Sequence, residues 1–134
     1  MKKMNSVVHF EMPALDTGRM TDFYSRVFGW KTQILDDDMG NYVLVTTAEI
    51  DEKGRPKEPG RINGGFYPKT NESAPHPSVV IAVEDINESI KDITAAGGKV
   101  LGKPMEIPGY GTYASFIDTE NNRVGMMQPS GEWL

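Results

Sequence analysis

The chain has 134 residues, 14 lysines and arginines against 19 aspartates and glutamates, a net charge of −5 and no cysteine. That length predicts a single domain able to bury its own core. The lack of cysteine excludes disulfides, thiolate nucleophiles and cysteine-type zinc sites, and the scattered basic residues argue against a nucleic-acid partner.

At the N-terminus, MKKMNS is followed by no long apolar segment. No run of about 18 apolar residues occurs anywhere, so neither a signal peptide nor a membrane span is expected and a cytoplasmic location is the default. The first extended run is VVHFEMP. Alternation along a strand puts His9 and Glu11 on one face with Val7, and Val8, Phe10 and Met12 on the other. Such a polar pair, if buried, has to be hydrogen-bonded, metal-bound or facing a wet cavity, because an unsatisfied polar group costs about 1 to 3 kcal/mol. A helix follows, opened by Asp16 and closed by Gly29, with Met20, Phe23, Tyr24, Val27 and Phe28 recurring at spacings of three and four. Tyr24 on this stripe is read as packing.

Shorter extended runs come next: WKTQIL, NYVLVTT and GGFYP. Trp30 and Tyr42 start two of them, and alternation alone leaves each either in the helix–sheet core or on the opposite face. The acidic run 36–38 reads as a solvated hairpin tip, since the spacing of an EF-hand loop is absent. AEIDEKGRPKEPGR is polar, rich in glycine and proline, and reads as a mobile surface loop. KTNESAPHP reads as a linker with a solvated His76.

The second half repeats the pattern. PSVVIAVED is extended, Asp85 opens a helix with Ile86, Ile90, Ile93 and Ala96 on its stripe, and Gly98 closes it. KVLG, GTYASFID and NRVGMMQ are extended, with DTENNR as the turn of the last hairpin. Tyr113 shares a strand face with Ser115 and Ile117, and Met126 and Met127 lie on opposite faces, one in the core and one as an adaptable apolar wall. IPGYGTY around Tyr110 reads as a strand-entry turn, because no helix N-terminus follows to make a phosphate cradle. No Ser-His-Asp set and no nucleotide fingerprint is present.

A shift of 69 aligns Val7–Gly29 with His76–Gly98, so the chain is two tandem β-α-β-β-β modules. The expected fold is α+β, one domain over 1–134, with modules 5–68 and 77–129 joined by linker 69–76. Each module offers a sheet covered on one side by its helix, and two such sheets placed edge to edge would make a curved, half-open mixed-sheet cup suited to a small ligand.

VVHFEMPALDTGRMTDFYSRVFGWK, with its strand histidine, its FY within the helix and its FGW at the end, resembles the vicinal oxygen chelate superfamily. That superfamily holds glyoxalase I, the bleomycin resistance proteins and the extradiol dioxygenases. SVVIAVEDINESIKDITAAGGKV and FIDTENNRVGMMQP carry the likeness through the second half. The resemblance implies the glyoxalase/bleomycin resistance/dioxygenase fold. In metal-dependent members, side chains from the first and last strands of both modules hold a divalent ion that acts as a Lewis acid. His9 matches the first of those positions, while the other three fall at Ser78, at Gly64 or Gly65, and at Gly125. A catalytic ion typically needs about three protein ligands. The expectation is therefore a metal-independent small-molecule binding protein without a cofactor, whose cup is lined by His9, Glu11, Ser78, Tyr113 and Met127. The alternative is a metal-dependent lyase, isomerase or dioxygenase using Ni, Zn, Mn or Fe at His9. The resemblance also implies a homodimer, and a third reading makes association the main role of the domain.

Overall fold

The computed structural model describes residues 4–130. They form two compact units, one spanning His9–Pro77 and the other running from Ser78 onward together with the N-terminal residues through Val8. The element order is β1 (Val7–Ala14), α1 (Thr17–Phe28), β2 (Lys31–Ile34), β3 (Val43–Thr46) and β4 (Asn63–Pro68). It repeats as β5 (Ser78–Ala82), α2 (Ile86–Ala95), β6 (Lys99–Ile107), β7 (Gly111–Ile117) and β8 (Arg123–Pro129). The β-α-β-β-β pattern thus occurs twice.

In the N-terminal unit the strand order is β2-β3-β4-β1, with β1 parallel to β4 and the other pairs antiparallel. The C-terminal unit repeats this as β6-β7-β8-β5, with β5 parallel to β8. A parallel pairing of first and last strands is what a helical crossover permits, and the short hairpins supply the antiparallel pairs.

Both helices start where their aspartates predict. Asp16 accepts from the Arg19 N–H at 3.0 Å, and Asp85 accepts from the Asn87 and Glu88 N–H groups at 3.0 and 3.2 Å. The Gln128 side chain adds a cap from β8, accepting from the Ile86 N–H at 2.9 Å. Helix α1 ends at Gly29, whose φ of 72° is the left-handed conformation that glycine adopts without a Cβ penalty. Helix α2 ends earlier than expected. Ala96 caps it, Gly97 takes the left-handed turn at φ 99°, and Gly98 permits close approach, since a Cβ there would lie 2.7 Å from Ile93 Cγ2.

Each unit has its own core between helix and sheet. In the first, Val43, Val45 and Phe66 are fully enclosed, with Phe10, Met12, Met20, Tyr24 and Trp30 packed on them. Tyr24 stacks on Trp30 at 4.7 Å and 9°, which places both aromatics in the core. The second core joins Val83, Ile86, Ala114 and Met126 to Ile81, Ile90, Ile93 and Phe116. Met126 is thus the inward methionine.

Three expectations need correction. The α1 stripe packs the partly buried Met20 and Tyr24 on the core but leaves Phe23, Val27 and Phe28 more than half exposed, because five apolar residues span a wider arc than one sheet covers. Ala96 likewise lies exposed beyond the α2 stripe. The segment read as a surface loop is an irregular connection with a tight turn inside it, where Ile50 bridges Pro56 and the Asp51 carboxylate accepts from the Lys53 and Arg55 N–H groups at 2.9 and 3.0 Å. The strand expected as KVLG runs on to Ile107, with a register shift between Leu101 and Met105.

Candidate functional site

The face of each sheet away from its helix follows from the register. On β1 the core-facing residues are Phe10 and Met12, which leaves His9 and Glu11 together on the opposite face. Leu44 and Glu11 both pair with Gly65, so they share that face, as does Tyr42 two residues before Leu44. Gly64 points the other way, against the Phe10 ring. Of the two glycines expected at the last-strand position, Gly65 is therefore the one beside His9 and Glu11.

Tyr42 joins the polar pair. Its hydroxyl lies 2.8 Å from His9 Nε2 and donates to Glu11 Oε2 at 3.1 Å. The His9 and Tyr42 rings are nearly parallel, at 18°. All three residues are half-buried. Burial pushes the His9 imidazole down to about 4, because desolvation disfavours its charged form. His9 is thus neutral at physiological pH.

The same construction recurs in the C-terminal unit. Ser115 and Val80 both pair with Gly125, as Leu44 and Glu11 do with Gly65. Tyr113, two residues before Ser115, is therefore the register equivalent of Tyr42, and Ser78 and Val80 are the equivalents of His9 and Glu11. Tyr113 and Met127 are direct cross-strand partners, and Met127 lies on their shared face away from the buried Met126. Of the five residues expected at the site, His9 and Glu11 come together through Tyr42 in one unit. Ser78, Tyr113 and Met127 lie on one face of the other. His76 is exposed in the linker, as expected.

The two glycines are not bare. A Cβ on Gly65 would collide with the Tyr42 ring and hydroxyl, and one on Gly125 would lie 2.7 Å from the Tyr113 hydroxyl. Each of these last-strand glycines, where the family resemblance of the sequence implies a metal-ligand position, thus has a tyrosine laid over it. His9 Nε2 is already engaged by Tyr42. Among the described residues, no group of three or more histidines and carboxylates is placed to hold a metal ion. The donor set does not fit a divalent ion held in the family manner.

Tyr42 is the site residue whose role sequence reasoning misses. Its signal is present, because Tyr42 and Tyr113 stand at matching places in the two modules, but it becomes readable only with the strand register.

Two β-α-β-β-β units, each with a helix packed on one face of a mixed sheet, place the chain in the glyoxalase/bleomycin resistance fold class. The profile of the Glyoxalase/Bleomycin resistance protein/Dioxygenase superfamily matches residues 6–126, and the chain belongs to that superfamily. It is 28% identical over 121 residues to the anthracycline biosynthesis protein DnrV of Streptomyces peucetius, a match covering 81% of this chain and 42% of that protein. The chain therefore spans less than half the length of the curated relatives it matches. Among solved structures it is similar to methylmalonyl-CoA epimerase from Mycobacterium tuberculosis, with a TM-score of 0.65 at 12% identity, covering 95% of this chain and 89% of that one. A superfamily member from Vibrio splendidus gives a TM-score of 0.60 at 13% identity, covering 93% and 99%. At such identities the likeness is one of fold. Among the described residues no helix is long and apolar enough to cross a membrane.

Proposed function

We propose that this protein binds a small molecule without a metal ion, in the manner of the drug-binding rather than the metal-dependent branch of its superfamily. The observation that carries this reading is the tyrosine laid over Gly65 and again over Gly125, the positions that the family resemblance makes those of metal ligands. The patch of His9, Glu11 and Tyr42 orients the polar part of the ligand, and Ser78, Tyr113 and Met127 form the corresponding patch of the second module. The likeness to an anthracycline biosynthesis protein guides the choice of probe toward fused-ring aromatic compounds. From the family resemblance the reading also takes a homodimer and a cytoplasmic location, which light scattering and cell fractionation would check.

The test has two arms. Titration of the purified protein with nickel, zinc, manganese and iron is expected to show no stoichiometric binding. Binding that disappears in His9→Ala would overturn the reading in favour of a metal-dependent lyase, isomerase or dioxygenase, the alternative that the position of His9 keeps in view. A thermal-shift screen of fused-ring aromatics is expected to find a stabilising ligand, since a compound at 100 times its dissociation constant adds about 2.7 kcal/mol. No stabilisation by any compound at saturating concentration would leave an association role in its place.

A further inference from the structure

The hydrogen-bond chain in the N-terminal unit has a direction. The Tyr42 hydroxyl donates its single proton to Glu11 Oε2 at 3.1 Å, the direction that a carboxylate accepting the bond requires. The Tyr42 oxygen is then an acceptor toward His9, and the His9 nitrogen 2.8 Å away must carry the hydrogen. In a neutral imidazole one nitrogen bears the proton and the other a lone pair.

We propose that Tyr42 is a positioning residue that locks His9 in its Nε2–H tautomer, presenting Nδ1 as an acceptor to a neutral ligand bearing a hydrogen-bond donor such as a phenolic hydroxyl. This rests on the small-molecule reading above and narrows it to a chemical class. Three observations support it. Nδ1 has no hydrogen-bond partner among the described residues, where Tyr42 is the one bonded to the His9 ring. Nor is Nδ1 sealed off, because the fully enclosed side-chain polar atom left unsatisfied among those residues is Thr21 Oγ1. Burial keeps the ring neutral at pH 7, so a lone pair is there to accept. A ligand anion is disfavoured at the same place, since the Nδ1 lone pair repels it.

The experiment is histidine ¹⁵N NMR on the full chain at pH 7. The chain has two histidines, and exposed His76 supplies the tautomer-averaged reference. His9 is expected to show a protonated-type Nε2 and an unprotonated-type Nδ1. In Glu11→Gln the amide can donate to the Tyr42 oxygen, turning the Tyr42 proton toward Nε2 and flipping His9 to the Nδ1–H form. In Tyr42→Phe the two resonances should collapse toward the averaged pattern of His76. Phenol should shift the Nδ1 resonance of the unaltered protein, whereas anisole, which lacks the donor, should not.

An Nδ1–H tautomer in the unaltered protein would overturn the proposal, as would a tautomer unmoved by both substitutions. Equal responses to phenol and anisole would overturn the ligand class. The tautomer is read without any ligand, so it can fail while the thermal-shift screen succeeds, and the reverse.

Discussion

His9 makes stability depend on pH in a calculable way. Its folded value of about 4 lies below the ordinary 6.5, so between those limits the unfolded chain binds a proton that the folded one refuses. Stability is then fully present above pH 6.5 and is lost as pH falls toward 4. A shift of that size corresponds to roughly 3 kcal/mol at most, at about 1.36 kcal/mol per pH unit, and about 2 kcal/mol of it should go between pH 6.5 and 5. The partial exposure of the ring makes this an upper bound. Two carboxylates are also depressed: Asp51 by the Arg55 backbone N–H, and Asp118 by the Asn122 backbone N–H. Their contributions are lost as pH falls through their folded values, below the His9 window, and are common to any His9 variant. Urea unfolding of the unaltered chain and of His9→Gln at about pH 7, 6, 5 and 4 therefore isolates the histidine as a difference in slope. The variant should lose less stability on acidification even if it starts lower. Parallel curves for the two proteins would refute the burial argument.

Other substitutions test the packing. Gly65→Ala forces a methyl into the Tyr42 ring; overpacking of this kind should cost about 1 to 3 kcal/mol in urea unfolding, and adding Tyr42→Ala should recover part of it. Gly29→Ala has no atom within 4 Å to strike, so only the left-handed φ of 72° opposes it. A loss of about 1 to 2 kcal/mol is expected in thermal unfolding. Phe66→Ala empties the centre of the first core, where the side chain is fully enclosed, and should cost about 3 to 5 kcal/mol.

Much of the fold is legible in the sequence because its signals are local. A helix start needs one carboxylate three residues before the N–H it accepts, and Asp16 and Asp85 announce both helices without reference to the rest of the chain. The repeat then doubles the weight of each local signal. The face of a β-strand is also local, which is why VVHFEMP by itself pairs His9 with Glu11. What local pattern does not carry is everything set by register. Tyr42 meets Glu11 across 31 residues of chain and His9 across 33, and nothing in NYVLVTT says which residue will oppose Gly65. The exposed side of α1 escapes a sequence reading for a related reason. Helical spacing shows that residues share a stripe, whereas the width of the stripe that is buried depends on the sheet beneath it.

The two tyrosines couple each last-strand glycine to a residue on the adjacent strand. A glycine inside a strand exposes backbone and packs nothing, and an aromatic ring from a neighbouring strand laid across it restores that contact. In both units the ring comes from the residue two places before the glycine's cross-strand partner, so Tyr42 covers Gly65 and Tyr113 covers Gly125 by the same diagonal. A ligand-bearing side chain at either glycine and a tyrosine at the diagonal position would occupy the same space. The choice at the last strand is therefore coupled to a residue on the adjacent strand, and reversing one without the other introduces a collision. In the first unit the coupling reaches further, because the Tyr42 hydroxyl that fills the space also engages His9 Nε2. His9, which the family resemblance sets at the first metal position, is thereby drawn into a hydrogen-bond chain ending on Glu11, and the nitrogen outside that chain is Nδ1.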